Sequence, residues 1–228
     1  MKILYLETSS KNCSVAISDD EKLLCLTEEV SENYKQSESL HTFVEWALEG
    51  AGISIQDIEA VSLGQGPGSY TGLRIGSSSA KGFCYGLKVP LIAINSMESM
   101  IAPFLGQDFD LIIPLIDARR MEVYTAVYDG KTCDEISGTE AKILDETSFK
   151  EYKDKKVLFI GDGALKAKEI FQFPDAEFNE NVYPSAQYLI KKTIDKIHHK
   201  EFEDIAYFEP FYLKDFHGVK KKRPSDPM

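Results

Sequence analysis

The sequence predicts an α/β protein of two related lobes, on three observations. Short apolar runs of strand length alternate with segments whose apolar residues recur at the helical period. A block of strands followed by helix, strand and helix occurs twice in succession. A chain of 228 residues with ordinary globular composition can bury roughly 70% of its unfolded surface without a metal or disulfide staple.

Residues 3–6 are an apolar run ending at Glu7-Thr8-Ser9-Ser10, a buried strand followed by a polar turn. Segments 13–18 and 22–27 are two further strands, and the Asp19-Asp20 step between them signals a hairpin. A helix follows over 37–50. Ser37 can cap it, Leu40, Val44, Ala47 and Ala51 share one stripe, and Gly50 and Gly52 end it. Segment 58–63 is a strand that runs straight into Gly64-Gln65-Gly66-Pro67-Gly68-Ser69-Tyr70-Thr71-Gly72. Beyond that loop, 73–86 alternates small with apolar residues and predicts a tightly packed helix. A strand over 89–94 and a helix from Ser96 that fades near Phe104 complete the first block.

The order then restarts. Segments 111–116 and 122–128 are strands, Asp129-Gly130 is a turn and 140–144 is a third strand candidate. A strand over 157–160 ends in Gly161-Asp162-Gly163 and leads into a helix through Phe171. An amphipathic helix starts at Pro184-Ser185 and reaches about His199, and the last structured stretch is near 206–213. The lobes are therefore 1–104 and 105–219, with a frayed basic tail over 220–228 that begins Lys220-Lys221-Lys222-Arg223. That tail reads as a solubilising segment rather than an RNA contact.

The formal charge of −11 argues against unaided binding of nucleic acid, because phosphate contacts require a basic face. Cys13, Cys25, Cys84 and Cys133 are scattered, form no C-x-x-C pair and predict reduced, packed thiols. The N-terminus shows no signal-peptide pattern, and no apolar stretch approaches the length of a membrane span. A cytoplasmic protein is the expectation.

The loop from Gly64 to Gly72 carries the chemical signal. Its glycines let backbone approach closely, and Gly66, Gly68, Ser69, Thr71 and Gly72 sit where amides and hydroxyls before a helix could face a phosphate. It is not a Walker loop, since no lysine lies between Gly64 and Arg74, and Thr71 stands where the Rossmann spacing needs a third glycine. Two readings stay open: a phosphate cradle, or a tight turn that lets strand and helix pack closely.

Read with its neighbours, the loop becomes specific. Ile3-Leu4-Tyr5-Leu6-Glu7-Thr8-Ser9, the loop continued through Leu73-Arg74-Ile75-Gly76 to Ala80-Lys81-Gly82, and Asp117-Ala118-Arg119-Arg120 with Glu122-Val123-Tyr124 resemble the TsaB family. The resemblance is strong over the N-terminal half and thinner beyond, where Gly161-Asp162-Gly163 and Pro210-Phe211-Tyr212-Leu213 carry it. It implies the actin-like, sugar-kinase-like ATPase fold, two lobes each with a mixed five-stranded sheet flanked by helices. It also implies a non-catalytic subunit of the machinery that puts threonylcarbamoyl on tRNA, paired with the catalytic paralogue TsaD and the ATPase TsaE. Self-pairing as a homodimer when alone, and contact with tRNA only through partners, are further implications.

The catalytic paralogue uses H-x-x-x-H as metal ligands. Here His41 is followed four residues later by Glu45, with no second histidine nearby, so no metal site is assigned and His41 reads as a surface or interface residue. His198 and His199 are adjacent and diverge on a helix, and His217 lies near the tail. Glu7 stands where catalytic members of the fold usually place an aspartate, and a hydrogen-bonding role at the turn is expected instead. Ser69 lacks a nucleophile elbow, so no catalytic residue is assigned. No cofactor is assigned either, beyond weak ATP or ADP binding that the loop would allow. The alternative function is a small-molecule kinase or ATPase using Glu7 and the glycine loop.

A protein that does not catalyse acts through an interface. On the helix over 37–50, Ser39, Phe43, Trp46 and Gly50 form a second stripe beside the core stripe, as expected of a helix that packs on two sides. That stripe, with Arg74 and the helix after Thr71, is the expected partner surface.

Overall fold

The computed structural model describes residues 1–31, 36–171 and 173–214, the side chains of 36–38 excepted. The expectations for His217 and for the tail from Lys220 lie outside the described residues. The first sheet holds β1 (Lys2–Glu7), β2 (Asn12–Asp19), β3 (Lys22–Val30), β4 (Ala60–Gly64) and β5 (Leu91–Ile94) in the order β3-β2-β1-β4-β5. The second holds β6 (Leu111–Asp117), β7 (Glu122–Asp129), β8 (Glu135–Ile143), β9 (Val157–Ile160) and β10 (Ala176–Asn179) in the order β10-β9-β6-β7-β8. In each, the first strand is central, pairs antiparallel with the second and parallel with the fourth. The repeat inferred from element order is a repeat of sheet topology. This is the actin-like, sugar-kinase-like fold that the resemblance implied.

Helices α1 (Gln36–Ala51), α2 (Tyr70–Leu87), α3 (Ser96–Ile101), α4 (Ala164–Ile170) and α5 (Ile190–His199) cover the sheets. Ser37 lies inside α1 rather than capping it, because the helix starts one residue earlier. α2 starts at Tyr70, three residues before the predicted start, because the Ser69 side chain accepts the Gly72 N–H and draws the end of the loop into the first turn. The segment after Pro184 is a short 3-10 turn over Ala186–Leu189 before α5 begins. β10 has no counterpart among the predicted strands, because its alternation of half-buried and exposed residues carries little apolar signal.

Each sheet buries both faces, so each needs helices on two sides. α1 and α2 close one face of the first sheet over Leu4, Leu6, Val15, Val61 and Leu63. The other face, Ile3, Tyr5, Ala16 and Ile92, is covered by Leu189, Ile190 and Ile194, which come from the far end of the chain. The second sheet packs α4 on one side, and on the other Met97, Met100 and Ile101 of α3 meet Ile112, Ile116 and Tyr128. A boundary at 104/105 therefore divides the sheets but not the packing, because α3 belongs to the second core and α5 to the first. All four cysteines are free thiols, with Cys13 and Cys84 buried. Burial pushes both thiols up to about 12. Among the described residues, no helix is long and apolar enough to cross a membrane.

Candidate functional site

The end of β1, the glycine loop, β6 and the C-terminal segment meet at a cleft of about 550 Å³ between the lobes. One wall is Ser9, Ser10, Lys11 and Gly68 to Thr71, and the other includes Asp117, Arg119, Tyr124 and Asp162. Residues Phe211, Tyr212, Leu213 and Lys214 run across its mouth. Phe211 N–H donates to Gln65 O at 2.8 Å, the Tyr212 ring lies 4.9 Å from that of Tyr70, and Lys214 pairs with Glu122 of β7 while lying over Tyr124. The C-terminal chain is thus a strap tying the glycine loop to the second lobe.

The loop's glycines are explained by what lies against them. A Cβ on Gly68 would stand 2.1 Å from Ser9 O, one on Gly72 2.0 Å from Thr8 O, and one on Gly76 2.3 Å from Thr8 Oγ1. The Ser69 N–H donates to Ser9 O at 2.6 Å, and Thr8 Oγ1 donates to Gly72 O at 2.8 Å. Gly66 adopts a left-handed φ of 103° and exchanges hydrogen bonds with Ser96. Of the two readings left open, close packing accounts for Gly68 and Gly72, and the cleft receives mainly Ser69, Tyr70 and Thr71.

Glu7 lies beneath this loop, fully buried. Gly64 makes room for it, since a Cβ there would fall 1.8 Å from Glu7 Oε2. The carboxylate accepts the Ser9 N–H at 2.8 Å and the Ser96 hydroxyl at 2.9 Å. Burial pushes its titration up, opposed by these hydrogen bonds. The folded state then holds the proton more tightly than the unfolded chain. The group's contribution to stability is fully present below the unfolded value of 4.5 and is lost as pH rises through the folded value. Urea titrations across pH should show wild-type stability relative to Glu7→Gln falling as pH rises from that point. A difference that grows with pH would mean the hydrogen bonds outweigh burial.

On the opposite wall, Asp162 accepts the Asp117 N–H at 2.8 Å, and burial raises its titration. Asp117 in turn takes the Lys166 ammonium at 2.6 Å and the Arg119 N–H at 2.5 Å. One sign of this pair is visible in the residue order. Gly161 and Gly163 flank Asp162, and a Cβ on either would stand within 3 Å of Leu115 O.

The expected partner stripe is only partly on the surface. Phe43 is 5% exposed and belongs to the first core, and a Cβ on Gly50 would stand 2.6 Å from Cys25 Sγ. Gly50 is nevertheless exposed, at the end of a helix that lies across β2 and β3 together. Ser39 is half-buried. Trp46 remains outside, 55% exposed, with its ring stacked 5.6 Å from that of Phe43. Arg74 is exposed, its guanidinium 4.5 Å from the centre of the Tyr70 ring. His41 sits on the other flank of α1, where Nε2 is 3.2 Å from Ser79 Oγ of α2. Among the described residues, no group of three or more His, Cys, Asp or Glu side chains could hold a metal.

A family model described as "TsaD: tRNA N6-adenosine threonylcarbamoyltransferase" matches residues 28–216. The chain is 29% identical over 227 residues to the tRNA threonylcarbamoyladenosine biosynthesis protein TsaB of Bacillus subtilis, covering 94% of each. It is 33% identical over 129 residues to the Escherichia coli protein of the same description, covering 56% of this chain and 55% of that one. The solved structure of YeaZ from Pseudomonas aeruginosa superposes with a TM-score of 0.79 at 22% identity, covering 93% of this chain and all of that one, a likeness of fold. With a family model spanning residues 28–216 and a TsaB relative aligned over 94% of its length, the chain belongs to the TsaB–TsaD family, on its TsaB side.

Proposed function

We propose that the chain is the non-catalytic docking subunit of the machinery that transfers threonylcarbamoyl to the adenosine next to the anticodon, in tRNAs reading codons that begin with adenine. It binds a TsaD-type catalytic subunit, with a TsaE-type ATPase as third member, and pairs with itself through the same surface when alone. The relatives' description as tRNA threonylcarbamoyladenosine biosynthesis proteins supports the process. The burial of Glu7 under its own loop, engaged by Ser9 and Ser96, supports docking rather than catalysis.

The observation that carries the docking surface is the outer face of α2. Arg74, Ser78, Gly82, Tyr85 and Gly86 share one side of that helix at the helical period. Nothing lies within 4 Å of the position a Cβ would take on Gly82 or Gly86, and Tyr85 is 83% exposed. A helix whose small residues face open space, next to an unburied aromatic ring, admits the close approach of another helix. Trp46, on the flank of α1 opposite the one that meets α2, offers a second and separate apolar contact.

The test is capture of a TsaD-type subunit by the full chain. Gly82→Leu is expected to fill the open space, leave thermal stability unchanged and lower affinity at least tenfold. Trp46→Ala is expected to cost about 2 kcal/mol of binding, roughly thirtyfold. Capture unaffected by both changes would reject this surface, and unchanged threonylcarbamoyladenosine in bulk tRNA after depletion of the protein would reject the function.

A further inference from the structure

The hairpin tip between β6 and β7 is built in an uncommon way. Arg119 and Arg120 are consecutive and both left-handed, with φ of 73° and 55°. That region is disfavoured for residues with a side chain, and Asn or Gly would occupy it more readily. The tip is nevertheless held firmly. Ala118 N–H donates to Glu122 O at 3.0 Å, Arg119 N–H to Asp117 Oδ1 at 2.5 Å, and Lys166 reaches both Asp117 and the Glu122 carbonyl.

The nearby carboxylates are already occupied. Asp117 holds Lys166, Glu122 holds Lys214, and Asp162 accepts a backbone N–H. Both arginines are exposed, and among the described residues neither guanidinium forms an ion pair or ring contact. Arg119 lines the cleft with Lys11 and Lys214, and Arg120 is the next residue of the same turn. A chain of net charge −11 thus presents two adjacent, exposed arginines on a hydrogen-bonded hairpin tip whose carboxylates are taken by lysines.

We infer that this tip is a phosphate-contacting point for RNA, in which Arg119 and Arg120 grip the tRNA phosphodiester backbone while the partner subunit works on the base. The inference rests on the tRNA role proposed above and refines it, adding a direct contact to what the overall charge allowed only through partners. Guanidinium groups match phosphate oxygens with paired hydrogen bonds, and a fixed tip loses little freedom on binding. The left-handed arginines fit such a role, because backbone strain persists where the surrounding structure enforces it and clusters at working sites.

The test measures binding of a tRNA transcript to the full chain from about 20 to about 200 mM salt, a range over which phosphate contacts lose affinity steeply. Three proteins are compared: wild type, Arg119→Asn/Arg120→Gly, and Arg119→Lys/Arg120→Lys. The Asn/Gly variant suits the left-handed turn, so its thermal stability should equal or exceed wild type. Its tRNA affinity should nevertheless fall about tenfold, and the slope of log affinity against log salt should drop by about 1 to 2. The lysine variant should keep most of the slope. Unchanged affinity and slope in the Asn/Gly variant would overturn the inference. So would loss of TsaD-type capture, or of ADP binding, with tRNA affinity intact, since the tip would then serve an acidic protein surface or a free nucleotide. Gly82→Leu separates this result from the docking proposal, because it should abolish capture and leave the free chain's tRNA affinity unchanged.

Discussion

Gly72→Ala is expected to destabilise the protein by about 3 kcal/mol or more, the upper part of the range for overpacking a close contact. The added methyl would stand 2.0 Å from the Thr8 carbonyl oxygen, which is backbone and has little room to withdraw. Thr8 and Ser9 are anchored to the same turn by Thr8 Oγ1 on Gly72 O and by the Ser69 N–H on Ser9 O. Relief would require parting β1 from the start of α2, which would also disturb the burial of Glu7. Gly82→Ala in the same helix supplies the control. Its methyl meets nothing within 4 Å, so the change should stabilise by up to about 1 kcal/mol through helix propensity alone. Urea midpoints of the two variants, measured side by side, should move in opposite directions. Equal shifts would mean that the loop glycines are not held by residues 8 and 9.

The second large effect is expected at Phe159, on the buried strand β9. The rings of Phe149, Phe171, Phe173 and Phe178 lie 5.8, 5.4, 6.1 and 5.1 Å from its own, making it the hub of the second core. Phe159→Ala removes the ring and leaves a cavity among neighbours fixed by the sheet and by α4. The expected cost is about 3–5 kcal/mol. For a chain of this size that is roughly a 10 °C fall in the unfolding midpoint. Phe159→Leu, which keeps most of the volume, should cost less than half as much. A small loss on Phe159→Ala would show that the second core can close around the gap.

The fold was legible because buried strands announce themselves. Residues 3–6, 111–116 and 157–160 are apolar runs of strand length, and each is a central strand or its neighbour. β10 and the start of β8 were not legible, since edge strands with one wet face lack that run. Periodicity shows that a helix has two apolar sides but not which residues of the second one are covered, and here Phe43 is buried in the first core while Trp46 and Gly50 stay exposed. At the glycine loop, composition alone could not separate a cradle from a tight turn. The difference lies in where Thr8 and Ser9 run, which is a fact of tertiary packing. Asp117-Ala118-Arg119-Arg120 stood out as a motif, but the left-handed backbone of its arginines did not, because nothing in the residue types marks it.

The exchange of α3 and α5 between the two sheets has a consequence for how the molecule can come apart. A fragment ending near 104 would carry its first sheet with one side bare, since Leu189, Ile190 and Ile194 would be missing, together with an orphaned apolar α3. The complementary fragment would have the converse defect. Each half completes the other's core, so the two are expected to melt in one transition, and neither is a module that recombination could move alone.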